Sequence, residues 1–145
     1  MRVLIDGDAC PQKSEISELT QRYQVKMIVF LDYAHISQST EYEVRYCEIG
    51  RDSVDLMIVN EVQSEDIVIT QDYGLASLVI AKGAKVLHVS GKIIDLQNID
   101  ELLMSRYMGY KERQRNKHIK GPKKRTQNDN KYFISQLEKL LKYQS

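Results

Sequence analysis

The sequence predicts an α/β fold: three layers, α/β/α, built around a mostly parallel sheet. Three observations carry that expectation. Short apolar runs recur along the first ninety residues, beginning with Val3-Leu4-Ile5. Segments with apolar residues three and four apart lie between them, the period of a half-buried helix. Strands that alternate with helices pair in parallel through right-handed crossovers, which gives a doubly wound sheet.

The elements follow in order. Val3-Leu4-Ile5, closed by Asp6, reads as a buried strand. Pro11 suits the first turn of a helix whose face carries Ile16, Leu19 and Tyr23. Residues 26–31 form a second strand, and the polar residues 32–41 a loop. A third strand runs over 42–49 and ends at Gly50. Val54, Met57, Ile58 and Val62 mark a helix, residues 67–70 a fourth strand, and Leu75, Leu78 and Val79 the next helix, with Gly83 at its C′ position. Residues 85–89 are the fifth strand. Asn98-Ile99-Asp100-Glu101 has the form of a capping box opening a helix with Ile99, Leu102, Leu103, Arg106 and Tyr110 on one face. Residues 111–131 are strongly basic, are interrupted by Gly121-Pro122, and read as a loop or arm before a final amphipathic helix carrying Phe133, Ile134, Leu137, Leu140 and Leu141. Residues 1–145 are thus expected to form a single domain: sheet and helices over 1–95, then helix, basic arm and C-terminal helix over 96–145.

Composition narrows the function classes. An apolar fraction of 42% and a charged fraction of 28% are ordinary for a globular chain. No apolar run is long enough to span a bilayer, and the amino terminus does not read as an export signal, so the expected compartment is cytoplasmic, with no membrane partner. Cys10 and Cys47 make no disulfide framework, and two cysteines with three scattered histidines give no zinc spacing. Both cysteines read as structural thiols. Charge is divided unevenly: residues 1–104 carry 9 Lys and Arg against 17 Asp and Glu, and residues 105–145 carry 12 against 3. An acidic body with a basic tail points to an anionic partner.

The acids share an address. Asp6 and Asp8 follow the first strand, Asp52 and Asp55 the third, and Asp72 the fourth. In open parallel sheets ligands bind beyond the carboxyl ends of the strands. Two carboxylates about 4 Å apart repel by ~4 kcal/mol at an effective dielectric near 20, so such a cluster either holds protons or holds a cation. Oxygen donors suit Mg²⁺ or Mn²⁺. Each acid also has a capping explanation: Asp8 for the first helix, Asp52 with Asp55 as a capping box, Asp72 for the helix carrying Leu75. Asp6 has least of one, because it directly ends a buried strand. Thr70 and Ser90 stand at strand ends, where a hydroxyl either orients a carboxylate or simply terminates the strand. Arg51 suits a phosphate or a neighbouring acid. In the tail, Lys111, Arg113, Arg115, Lys117, Lys120, Lys123, Lys124 and Arg125 fall within fifteen residues. Flanked by Tyr107, Tyr110 and Tyr132, they suit nucleic acid, or else a solvated stretch.

These motifs resemble the YaiI/YqxD family of uncharacterised bacterial proteins. The matches are Asp6-Gly7-Asp8-Ala9-Cys10-Pro11 (Ala usually stands where Gly7 does), Asp52-Ser53-Val54-Asp55, Asp66 through Asp72, Lys82-Gly83-Ala84, Gly121-Pro122, and Phe133 with Leu137. That family resembles PIN-like nucleases in fold. The resemblance implies metal-binding positions at Asp6, Asp55 and Asp72, with Asp8 and Asp52 as helpers. Two departures stand out: Val89-Ser90-Gly91 where Pro-Arg-Gly is usual, and Asp129-Asn130 where Asp-Arg is frequent, with Lys131 placed to substitute.

The expectation is a metal-dependent nuclease, a phosphodiesterase acting on RNA. Asp6, Asp8, Asp55 and Asp72 would be catalytic, and Asp6, Asp52, Asp55 and Asp72 would hold Mg²⁺ or Mn²⁺. Arg51, Lys120, Lys123, Lys124 and Arg125 would hold nucleic acid, and Thr70 and Ser90 would support the site. Two other classes stay open: a non-catalytic RNA- or protein-binding module, and an aspartyl phosphatase, for which an apolar strand followed by Asp-Gly-Asp is the signal.

Overall fold

A computed structural model describes residues 1–7, 10–33, 41–50, 52–115 and 124–143. The chain runs β1 (Arg2–Asp6), α1 (Lys13–Arg22), β2 (Lys26–Asp32), β3 (Glu43–Cys47), α2 (Ser53–Glu61), β4 (Ile67–Ile69), α3 (Tyr73–Ala81), β5 (Lys85–Leu87), β6 (Ile93–Ile94), α4 (Ile99–Arg115) and α5 (Gln127–Lys142). The sheet order is β3-β2-β1-β4-β5-β6. The first five strands are parallel and β6 returns antiparallel to β5.

Strand alternation divides the core into two leaves. Val3 and Ile5, Met27, Val29 and Leu31, Ile67 and Ile69, and Leu87 face Ile16 and Leu19 of α1 and Phe133, Leu137 and Leu141 of α5. Leu4, Ile28 and Phe30, Val68, and Val86 face Val54 and Ile58 of α2, Leu75, Ala76 and Val79 of α3, and Ile99 of α4. The central strands are apolar on both faces because helices cover both, as parallel sheets require. Each fully buried Ile, Leu or Phe contributes ~1.5–3 kcal/mol relative to exposure. The architecture is the expected α/β/α.

The helix ends show where local signals held and where they failed. Gly83, at φ +90°, is the C′ residue of a Schellman motif: its N–H donates to the Ile80 carbonyl at 2.9 Å, and the Ala84 N–H to Val79 at 3.1 Å. Gln24 does the same for α1 from the left-handed region, at φ 57°. Pro11 lies outside α1, because Gln12 (φ 63°) takes the N-cap place and the helix starts at Lys13. No capping box forms at Asn98. Its side chain accepts from the Asp95 N–H and donates to the Ile93 carbonyl, both at 3.0 Å, which ties the β6 exit instead. The capping box opens α5, where Thr126 and Asp129 exchange bonds of 2.8 and 3.2 Å. The basic stretch is partly helical, since α4 runs to Arg115 and α5 starts at Gln127. Along α4 Ile99 is buried, Leu102 and Leu103 are half-buried and Tyr110 is exposed, while the Arg106 side chain lies outside what the structure describes. The two-residue β6 is too short to be read from sequence alone.

Candidate metal centre at the carboxyl edge of the sheet

The chain moves from β1 outward to β2 and β3, then crosses back to β4 beside β1, so the switch point lies between β1 and β4. The pairing register sets Ile5 opposite Ile69, which brings Thr70 level with Asp6. Alternation turns Asp6 to the same face as Leu4, the face covered by α2 and α3.

Thr70 is 1% exposed and ties the two strand ends together. Its hydroxyl donates to Asp6 Oδ2 at 3.0 Å and accepts the Asp72 N–H at 3.0 Å. Of the two roles open to Thr70, orienting a carboxylate is the one its hydroxyl performs. Asp72 caps α3: its Oδ1 accepts the N–H groups of Gly74 at 2.8 Å and Leu75 at 3.3 Å. Its carboxyl is also hydrogen-bonded to that of Asp55.

Asp55 is the third residue of α2 and half-buried. Burial foremost, then the charge of Asp72, the shared hydrogen bond with Asp72, and the charges of Asp6 and Asp52, together push its carboxyl up to about 7. Every group acting on it is another acid. Asp52 precedes α2 in the left-handed region at φ 64°, and its side chain makes no capping hydrogen bond. The capping box considered for Asp52 and Asp55 is therefore absent, and Asp52 stands exposed at the edge of the cluster.

Thus Asp6, Asp52, Asp55 and Asp72, separated by up to 66 positions, come within electrostatic reach of one another. Among the described residues no three His, Cys, Asp or Glu side chains group as a metal shell. Asp8 lies outside the described residues, as do Arg51, Lys120 and Lys123.

The other expected site residues are placed as follows. Lys124 is exposed. Arg125 is half-buried and turned inward: its guanidinium donates to the Val89 carbonyl at 2.6 Å, to Asn130 Oδ1, and to Gln12 Oε1 at 3.4 Å, and lies 5.6 Å from the Phe133 ring centroid. It clamps α5 to the end of β5 and the start of α1. Nothing local announces this role, because its partners lie 36 and 113 positions away. The Ser90 hydroxyl serves its own turn, meeting His88 Nδ1 at 2.8 Å and the Lys92 N–H at 3.3 Å. Lys131 is exposed on α5. Cys10 and Cys47 are both buried free thiols, and burial pushes Cys10 up to about 12, which leaves it unreactive.

Sequence reading missed two features of this edge. Tyr73, the first residue of α3, stacks on His88 beyond β5 with ring centroids 5.3 Å apart. A groove of about 440 Å³ separates α2 from α3 and opens at Asp52, Asp55 and Asp72. The exposure of Leu56 and Leu78 is its visible sign, legible only once the helices are placed.

Comparison with known proteins agrees along nearly the whole chain. The family described as "Uncharacterized BCR, YaiI/YqxD family" matches residues 4–143. A UPF0178 protein of Natranaerobius thermophilus is 46% identical over 133 residues, covering 91% of this chain and 90% of its own length. One from Clostridium tetani is 44% identical over 137 residues, covering 94% of each chain. One from Lachnoclostridium phytofermentans is 39% identical over 145 residues, covering 98% and 97%. No solved structure matches. The chain belongs to the uncharacterised YaiI/YqxD family, UPF0178.

Proposed function

We propose that the carboxyl edge binds Mg²⁺ or Mn²⁺ and that the protein is a metal-dependent phosphodiesterase acting on RNA. The observation that carries the reading is the convergence of acids at one edge: Thr70 bonds both Asp6 and the Asp72 N–H, Asp72 and Asp52 line one groove mouth with Asp55, and burial first, then those neighbouring carboxylates, raise the Asp55 carboxyl. The donor set fits the ion. All the donors are carboxylate oxygens, and small hard cations are commonly held by one or two carboxylates with water filling the remaining positions. Asp55 and Asp72 would hold it, with Asp6 beside them and Asp52 and Asp8 as helpers. Bound there, it would supply an activated water and charge stabilisation for phosphoryl transfer.

The chain's own residues do the rest. Thr70 orients the Asp6 carboxyl through its hydrogen bond to Oδ2. Asp72 holds α3 by its cap while presenting its carboxyl to Asp55. The basic residues of the tail, Lys124 among them, would bind the phosphate backbone, with Arg51, Lys120 and Lys123 as the further candidates. The resemblance of the family to PIN-like nucleases supports the same reading.

Asp72→Asn and Asp55→Asn test it. Asparagine keeps the cap at position 72, so the first variant removes charge while sparing the fold. Wild type is expected to bind Mn²⁺ in a calorimetric titration and to cleave single-stranded RNA, and each variant to lower cleavage by about 100-fold. RNA binding that persists under chelation, with no cleavage by any of the three, would favour the non-catalytic module instead.

A further inference from the structure

The groove between α2 and α3 is continuous with the carboxylate edge. Asp55 and Asp72 stand at its head, and Leu56, Val59, Leu75 and Leu78 run along its walls. Val59 lies one turn beyond Asp55 on α2, and Leu78 one turn beyond Leu75 on α3. Leu56 is 63% and Leu78 54% exposed. Single exposed leucines are ordinary. Two of them, on different helices and lining one groove that opens on a charged site, make a surface with a neutral, apolar body and an acidic mouth.

We infer that this groove seats an unpaired nucleobase of the substrate, one nucleotide from the phosphate engaged at the carboxylates; the inference rests on the phosphodiesterase reading above. Charge selects the occupant. No Lys, Arg or His is among the described residues lining the groove, and Lys82, beside its Val59 wall, donates to the Val59 carbonyl at 2.5 Å, so the lining itself offers a phosphate no charged donor. A base is neutral, has two apolar faces, and is joined by its sugar to the anion that a cation at the mouth would hold. The volume of about 440 Å³ lies within the range of small-ligand clefts. A base paired in a duplex cannot enter, so the groove makes single-stranded nucleic acid the preferred substrate. Leu56 and Leu78 then determine specificity, with no part in the chemistry.

The test compares wild type with Leu56→Ala/Leu78→Ala, both exposed positions whose truncation spares the core. Binding in Mn²⁺ is followed by fluorescence anisotropy with three probes: a single-stranded oligoribonucleotide, the same strand with one abasic position, and the strand annealed to its complement. Wild type is expected to bind the intact single strand about tenfold tighter than either other probe. The double variant should lose that preference and bind the intact and abasic strands within about twofold of each other. If wild type does not distinguish intact from abasic RNA, or the variant keeps the preference, the groove is not a base site. A groove serving an apolar peptide gives one or other of those results. Cleavage is read in parallel on the same samples. Its absence in wild type overturns the phosphodiesterase reading, while the binding comparison still decides the groove.

Discussion

The two edges of the sheet treat acids in opposite ways. At the amino edge Asp66, 1% exposed, receives the Arg2 N–H at 3.0 Å, the Arg2 guanidinium at 2.8 Å and the Gln63 N–H at 2.9 Å. Glu61 pairs with Arg2 and Arg45, and Glu43 with Arg45 and Lys26. Hydrogen bonds from Arg45 first, then from Arg2 and Lys26 respectively, hold Glu61 and Glu43 below the usual carboxylate range. At the carboxyl edge Asp55 is pushed the other way, by burial and by three further acids. Bases complete the first arrangement within the protein. The second sets acid against acid, and it is there, not at the amino edge, that we propose a cation.

The largest expected effect breaks the amino edge. Arg2→Ala leaves Asp66 buried without its guanidinium, and loss of one partner of a buried pair costs about 3–5 kcal/mol. Urea denaturation at pH 7 would show it; a loss under about 1 kcal/mol would mean that the Asp66 backbone donors suffice alone.

A smaller effect, of opposite sign, is expected at the carboxyl edge. The folded-state pKa of Asp55 is raised, so its stabilising contribution is full below the ordinary aspartate range and is lost as pH rises through about 7. In chelator the melting temperature should therefore fall between pH 5 and pH 8. Asp55→Asn should flatten that slope and stabilise the metal-free protein by about 1 kcal/mol at pH 8, a figure reduced because the group is half-exposed and screened. Added Mn²⁺ should restore wild type at pH 8 and leave the variant unmoved. Glu43 and Glu61 act the other way, and their contribution is lost only as pH falls below the ordinary glutamate range.

The smallest effect sharpens the comparison. Gln24 beside the amino edge and Asp52 at the carboxyl edge both occupy the left-handed region. Glycine at either should stabilise by about 0.5 kcal/mol, since it has no Cβ to strain. Only Asp52→Gly should weaken Mn²⁺ binding, as calorimetry on both variants would show. Equal binding by both would remove Asp52 from the site.

Much of this was legible in the chain. The five parallel strands and the helices between them follow from apolar runs and 3.6-residue spacing, because both leaves of the core bury those residues. Gly83 announced its Schellman motif. Asp6, Asp8, Asp52, Asp55 and Asp72 stand out because they follow strands, and strand direction is shared across a parallel sheet; the resemblance to the family narrows the metal positions to Asp6, Asp55 and Asp72. Local pattern failed where the partner was distant or where two local options competed. Asn98 had the spacing of a cap and bonded backward to Asp95. Arg125 sat in a basic run and turned inward to Val89 and Gln12.

By itself the sequence determined the layers, the direction of the strands and the edge to which the acids go, because periodicity and alternation are properties of neighbours along the chain. The tertiary structure alone decided how those acids meet. The register that sets Thr70 beside Asp6, the half-burial that brings Asp55 close to neutrality, and the groove between α2 and α3 all arise from distances across space, and no spacing along the chain encodes them.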